Sequence, residues 1–151
     1  MYKCFFIGHR FVPEKIEPLL CQSIHKHITE YGVTEFYVGH YGKFDHMVIR
    51  ALRKMKELHP QIKNFLLLAY HPTVQPIKKP KGFESTLFIE GQESVPPRFA
   101  IARLNRQMIK EADYLISYVQ YITDGSYKLL EYAKTRAKKG KPIITNLAAP
   151  L

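Results

Sequence analysis

The chain has 151 residues and a formal net charge of +10, with 46% hydrophobic and 24% charged residues. That size suits one domain with a real core, and the balance is that of a folded globular chain rather than a disordered one. No stretch has the length of a membrane span, no secretory leader is read at the amino end, and Cys4 and Cys21 have no metal-ligand spacing, so a cytoplasmic protein with reduced thiols, no membrane partner and no metal is expected.

In chain order, residues 2–7 form the first apolar, β-rich run, which stops at Gly8-His9-Arg10 with Pro13 just beyond. Residues 14–30 carry Ile16, Leu19, Leu20, Ser23, Ile24, His27 and Ile28 at helical spacing, and Gly32 follows as a helix-stop residue. A second strand is predicted at 35–38. After it come Gly39-His40-Tyr41-Gly42-Lys43-Phe44-Asp45 and a helix over 44–58, with Met47, Val48, Ala51, Leu52, Met55 and Leu58 on one stripe. The third strand spans 64–69. Residues 70–95 then break the rhythm: Pro72, Pro76, Pro80 and Pro96 bracket one short strand at 86–89, and a segment of this length is a candidate lid. A helix at 97–111, a strand at 114–119, a helix at 126–139 ending near Gly140, and a strand at 142–146 complete the pattern. The runs are continuously apolar rather than alternating, as parallel strands covered on both faces are. The expected fold is α/β: one three-layer, Rossmann-like domain over 1–151, with an open, mostly parallel sheet of about five strands and helices on both faces.

Much of the basic excess falls in two places. Lys134, Arg136, Lys138, Lys139 and Lys141 sit at a helix end, where cations complement the helix dipole, and Lys78, Lys79 and Lys81 lie in the Pro-rich loop. Both read as solvated faces ahead of a dedicated nucleic-acid surface.

In an open parallel sheet, ligands bind beyond the carboxyl ends of the strands. Gly8, His9 and Arg10 fall at that edge, with Gly39–Asp45, Tyr70-His71-Pro72 and Thr123-Asp124-Gly125-Ser126. Glycines let backbone N–H groups approach an anion, and helix amino termini add donors and a favourable dipole. Each piece has a plainer reading: Gly8 as a tight turn, His9 as a buried and satisfied ring, Asp45 and Ser126 as helix caps. Neither GxGxxG after a strand nor a Walker A pattern occurs. The convergence points to a phosphate- or nucleotide-type ligand.

The segments CFFIGHR, YVGHYGKFD, RFAIARLNRQMIKEADYLISYV and DGSYKLLEYAKTRAKKGKPIITNL, in this order and spacing, resemble the SLOG superfamily. That group holds the DNA-processing protein DprA, the LOG-type phosphoribohydrolases and, most similar here, the uncharacterised YpsA-like branch. The resemblance implies a pocket bordered by Gly8 and Arg10, and a glycine-rich turn, GGxxGxD in relatives, at Gly39, Gly42 and Asp45. His40 and Lys43 stand here where relatives carry glycine. It also implies that Arg98, Arg103, Asn105 and Arg106 lie in a ligand-side segment, and that Gly125 and Ser126 form a phosphate-holding turn in which Asp124 replaces the first glycine.

LOG-type hydrolases and nucleoside deoxyribosyltransferases carry a glutamate three residues after the threonine of that turn, where a carboxylate serves as nucleophile or stabilises an oxocarbenium-like transition state. The corresponding position is Leu129, with Ala133 keeping the register, and Glu131 is turned about 200° away on a helix. The expectation is therefore binding or sensing of a nucleotide-derived or phosphorylated small molecule, without a cofactor. The first alternative is an N-glycosidic hydrolase or transferase with Asp45 as substitute acid. The second is DprA-like binding of single-stranded DNA. Homodimer formation through Tyr118, Tyr121 and Tyr127 is a further expectation.

Overall fold

The structure, a computed structural model, describes residues 2–148. The strands are β1 (Tyr2–Gly8), β2 (Val33–Val38), β3 (Lys63–Leu68), β4 (Ser85–Phe88), β5 (Tyr114–Tyr118) and β6 (Ile143–Asn146), and the helices are α1 (Glu17–Thr29), α2 (Lys43–Leu58), α3 (Ala100–Glu111) and α4 (Gly125–Ala137). All strand pairs are parallel and form one sheet in the order β4-β3-β2-β1-β5-β6. The chain steps outward from β1 to β4, crosses back through α3, and continues outward on the other side through β5 and β6. Strand order thus reverses between β1 and β5, and a crevice opens there at the carboxyl edge.

Alternation along β1 divides the core. Cys4 and Phe6 join α1 and α2 residues such as Leu20, Ile24, Met47 and Leu52 on one face. Phe5 and Ile7 join Leu104, Met108, Leu130 and Ala133 of α3 and α4 on the other. Both faces of the central strands are covered, which explains their unbroken apolar runs. Leu58, placed on the apolar stripe of α2 by its spacing, is instead 66% exposed on the last turn.

The sheet has six strands rather than about five. Within the 70–95 segment, β4 pairs with β3 from Phe65↔Ser85 to Leu68↔Phe88 and becomes an edge strand. An edge strand of four half-buried residues gives a weak sequence signal, and prolines on both sides weaken it further. Two buried amides fasten this segment. Asn64 Nδ2 donates to the carbonyls of Leu52 and Gly82 at 3.3 and 3.2 Å. Gln92 Nε2 donates to those of Ala69 and Ala100, both at 3.0 Å.

Gly8 is a close-approach position rather than a turn. It ends β1, and a Cβ there would run into the Phe44 ring and lie 2.8 Å from Phe44 Cβ. The missing side chain lets α2 enter against the end of β1.

Candidate functional site

A cleft of about 760 Å³ opens at the β1/β5 reversal. It is lined by Gly8, Arg10 and Phe11 after β1, by Tyr41, Gly42 and Asp45 at the start of α2, by Arg98 before α3, and by Ile101, Ala102, Asn105 and Arg106 along α3. Asp124, Gly125, Ser126, Lys128 and Leu129 supply the α4 wall. Arg10, Arg98, Arg106 and Lys128 therefore face only Asp45 and Asp124, and the cleft is net cationic.

Of the residues read from sequence, Gly8, Arg10, Gly42, Asp45, Arg98, Asn105, Arg106, Asp124, Gly125 and Ser126 meet in this cleft. His9, Gly39, His40 and Arg103 do not line it. Arg103 turns to the β4 side, where Nη1 donates to Gln92 Oε1 at 2.8 Å and the guanidinium packs on Gly91. Gly39 leaves room for Asp45: a Cβ there would lie 3.2 Å from Asp45 Oδ2. The His40 ring packs on Tyr41 at 4.1 Å between centroids, and burial pushes its pKa down. No residue of the 70–95 segment lines the cleft; that segment extends the sheet at its β3 edge. Sequence reasoning missed Phe11 and Lys128, and held Tyr41 only as part of the Gly39–Asp45 turn. The one sequence signal for Phe11 is its place directly after Arg10, and the structure leaves it 76% exposed there.

His9 works behind the cleft wall. It is 2% exposed, and its Nε2 accepts from the backbone N–H groups of Gln120 and Tyr121 at 2.7 and 3.0 Å. A nitrogen that accepts two N–H bonds carries no proton, so the hydrogen sits on Nδ1. Nδ1–H faces Asp124 Oδ2 at 2.7 Å and Ser126 Oγ at 2.9 Å. One imidazole thereby ties the end of β1 to both ends of the loop between β5 and α4, and its plainer reading as a satisfied, buried histidine is the one the contacts support.

Asp124 is the N-cap of α4. Its Oδ1 accepts the Ser126 N–H at 3.0 Å and the Ser126 hydroxyl, while Oδ2 takes the His9 bond. Burial pushes the Asp124 carboxyl up, but the hydrogen bonds from Ser126 and His9 outweigh it and hold the pKa below the ordinary carboxylate range. Ser126, His9 and Asp124 share the composition of a hydrolytic triad and lack its geometry. The serine gives its proton to the aspartate, and the imidazole nitrogen nearest its oxygen is already protonated, so no base stands ready to activate it.

Asp45 has the opposite environment. Its Oδ2 accepts one bond, from the Tyr41 N–H at 3.1 Å, and burial pushes its pKa up to about 6 against that single stabilising contact. The turn that carries it is anchored by the Tyr41 hydroxyl, which accepts the Ala69 N–H at 2.7 Å, and by Lys43 N–H on the Arg10 carbonyl at 2.8 Å. No side chain caps α2, whose N-cap is Gly42.

Leu129 stands in the α4 wall, so the position where the resemblance implies a catalytic glutamate is apolar and faces the cleft. Glu131 lies exposed, with Oε1 3.8 Å from Lys134 Nζ. Among the described residues no group of three or more His, Cys, Asp or Glu side chains could hold a metal ion, and no helix is long and apolar enough to cross a membrane. Tyr118, expected on a dimer face, is buried; Tyr121 is the exposed member of that trio and Tyr127 is half-buried. Compared with known proteins, the chain matches no family model and no curated sequence.

Proposed function

We propose that the protein binds a nucleotide-derived or otherwise phosphorylated small molecule in the β1/β5 cleft and holds it without cutting it, as a SLOG-type binding or sensing module. The observation that carries this reading is the charge of the cleft: Arg10, Arg98, Arg106 and Lys128 converge at the sheet's topological switch point, and only Asp45 and Asp124 oppose them. Leu129 in the wall argues against glycosidic-bond cleavage, because an apolar side chain neither attacks an anomeric carbon nor stabilises its positive charge.

A thermal-shift panel of mononucleotides, dinucleotides and ADP-ribose-type compounds tests this. A concentration-dependent rise in melting temperature for a phosphorylated compound, weakened by Arg106→Ala and Lys128→Ala, is the expected result. No stabilisation by any anionic compound ends the reading.

One feature supports a second reading, as an N-glycosidic hydrolase or transferase. Asp45 lines the cleft with its pKa pushed up to about 6, in the range of a general acid that protonates a departing base. Release of free base from a nucleotide panel, abolished by Asp45→Asn with the fold intact, is the outcome that would establish it.

A further inference from the structure

The amino terminus of a long helix is ordinarily an attractive place for a ligand's anionic group. In this cleft the Asp124 side chain already occupies the Ser126 N–H at the α4 terminus. The Asp124 carboxylate accepts the Ser126 N–H and hydroxyl on Oδ1 and the His9 Nδ1–H on Oδ2, and its pKa is held low. The imidazole that anchors this anion is buried and held from behind by the Gln120 and Tyr121 N–H groups. Yet the Asp124 side chain is 41% exposed and lines the cleft, and Oδ2 accepts one bond, from His9, where a carboxylate oxygen takes two.

A fixed negative charge with a free lone pair repels phosphate and attracts a hydroxyl donor. Of the four cleft cations, Arg10 directly follows His9 at the end of β1. Arg98 precedes α3, Arg106 lies on α3 with its guanidinium over the Tyr132 ring at 4.8 Å, and Lys128 is a full turn into α4.

We propose that Asp124 is a specificity-determining residue: it bars anionic groups from the start of α4 and accepts a hydrogen bond from a sugar hydroxyl there, so the phosphate of the ligand goes to Arg98, Arg106 and Lys128. The ligand class this selects is a phosphorylated sugar or a nucleotide with a free sugar hydroxyl, rather than inorganic or purely anionic phosphate. The inference rests on the binding reading above and adds an orientation to it. Specificity of this kind comes as much from the repulsive group as from the attractive one.

The test is a pair of NMR titrations of the full-length protein, with inorganic phosphate and with ribose 5-phosphate. In the unaltered protein, phosphate shifts the side-chain signals of Arg98, Arg106 and Lys128 and leaves the Gly125 and Ser126 amides in place. Ribose 5-phosphate binds about tenfold tighter than phosphate. Asp124→Gly keeps a residue acceptable at an N-cap. It tightens phosphate binding about tenfold, brings the Gly125 and Ser126 amides into the set that shifts, and erases most of the preference for the sugar. Asp124→Asn preserves the cap, moves affinities in the same direction by a smaller factor, and decides the matter if the glycine variant does not fold.

Phosphate shifts at Gly125 and Ser126 in the unaltered protein, or an unchanged order of affinities in both variants, overturn the inference while leaving the cationic cleft standing. If neither compound shifts any cleft residue in any of the proteins, the binding reading falls and the orientation falls with it.

Discussion

Two turns meet at the same sheet edge, each opening a helix, each carrying an aspartate beside a glycine, and they are electrostatic opposites. At the α4 turn, three donors surround Asp124 and keep it ionised below the ordinary carboxylate range. At the α2 turn, Asp45 has a single backbone donor, and burial pushes it up to about 6. Burial acts in the same direction on both carboxyls. What separates them is the depth of burial, lesser at Asp124, and the number of hydrogen bonds offered to the charged form. The α4 turn is therefore a closed unit with its anion built in, whereas the α2 turn holds a half-committed acid beside an uncapped helix.

The largest break of this contrast removes the buried ring that closes the α4 turn. His9→Ala strips Asp124 of a donor, orphans the N–H groups of Gln120 and Tyr121, and leaves a cavity. The expected loss is about 3 kcal/mol in urea unfolding. Asp124→Ala follows at about 2 kcal/mol, from the lost cap and a His9 Nδ1–H left with the Ser126 hydroxyl alone. Because both variants dismantle one network, the double variant should cost clearly less than the sum. Additive losses would mean that His9 and Asp124 act separately.

The α2 turn should respond with the opposite sign. Asp45 ionises near the ordinary 3.8 in the unfolded chain and at about 6 in the fold, so its contribution is fully present below 3.8 and lost as pH rises through about 6. Asp45→Asn is accordingly expected to stabilise the protein at pH 7.5, with an upper limit of about 3 kcal/mol and nearer 1–2 kcal/mol once solvent at the half-buried carboxyl is counted. Below pH 4 the advantage should vanish, as paired urea melts of the two proteins would record. A gain that persists at pH 4 would trace to packing rather than to charge. Affinity for an anionic ligand in the shared cleft should fall over the same pH window, as the carboxyl becomes negative.

The contrast between the turns also marks where the sequence stops being legible. Continuous apolar runs and the two helical stripes disclosed the layered sheet, because burial on both faces imposes them on composition directly. The edge rule collected Gly8, Arg10, Gly42, Asp45 and Asp124–Ser126, which line one cleft. It misplaced His9, because whether an imidazole faces a cleft or backs it depends on the Gln120 and Tyr121 amides, more than a hundred residues away. Arg103 was lost for a related reason: its partner Gln92 lies in the one segment whose path has no periodic signal. Strand β4 was placed locally but not counted in the sheet, since pairing with β3 is a nonlocal fact. The filling of the α4 turn by Asp124 follows from three contacts whose donors and acceptor come from two separate parts of the chain.

The smallest effect separates structural from ligand-facing glycine at these turns. A Cβ on Gly42 would sit 3.2 Å from the Arg10 backbone, so that glycine eases a close approach of the two turns. Gly125 meets nothing within 4 Å, lies at the first position of α4, and is not among the glycines with positive φ. Alanine is a better helix former than glycine, so Gly125→Ala should change stability by no more than about 0.5 kcal/mol, in the favourable direction. The added methyl projects into open cleft, and a nucleotide that packs on the start of α4 should lose several-fold in affinity while inorganic phosphate on the cations keeps its own. Calorimetric titration of both ligands against this one variant therefore reads the space beside Asp124 without touching its charge. Equal weakening of both ligands would show that the phosphate itself lies against Gly125, and that the two turns differ less in use than in their hydrogen bonds.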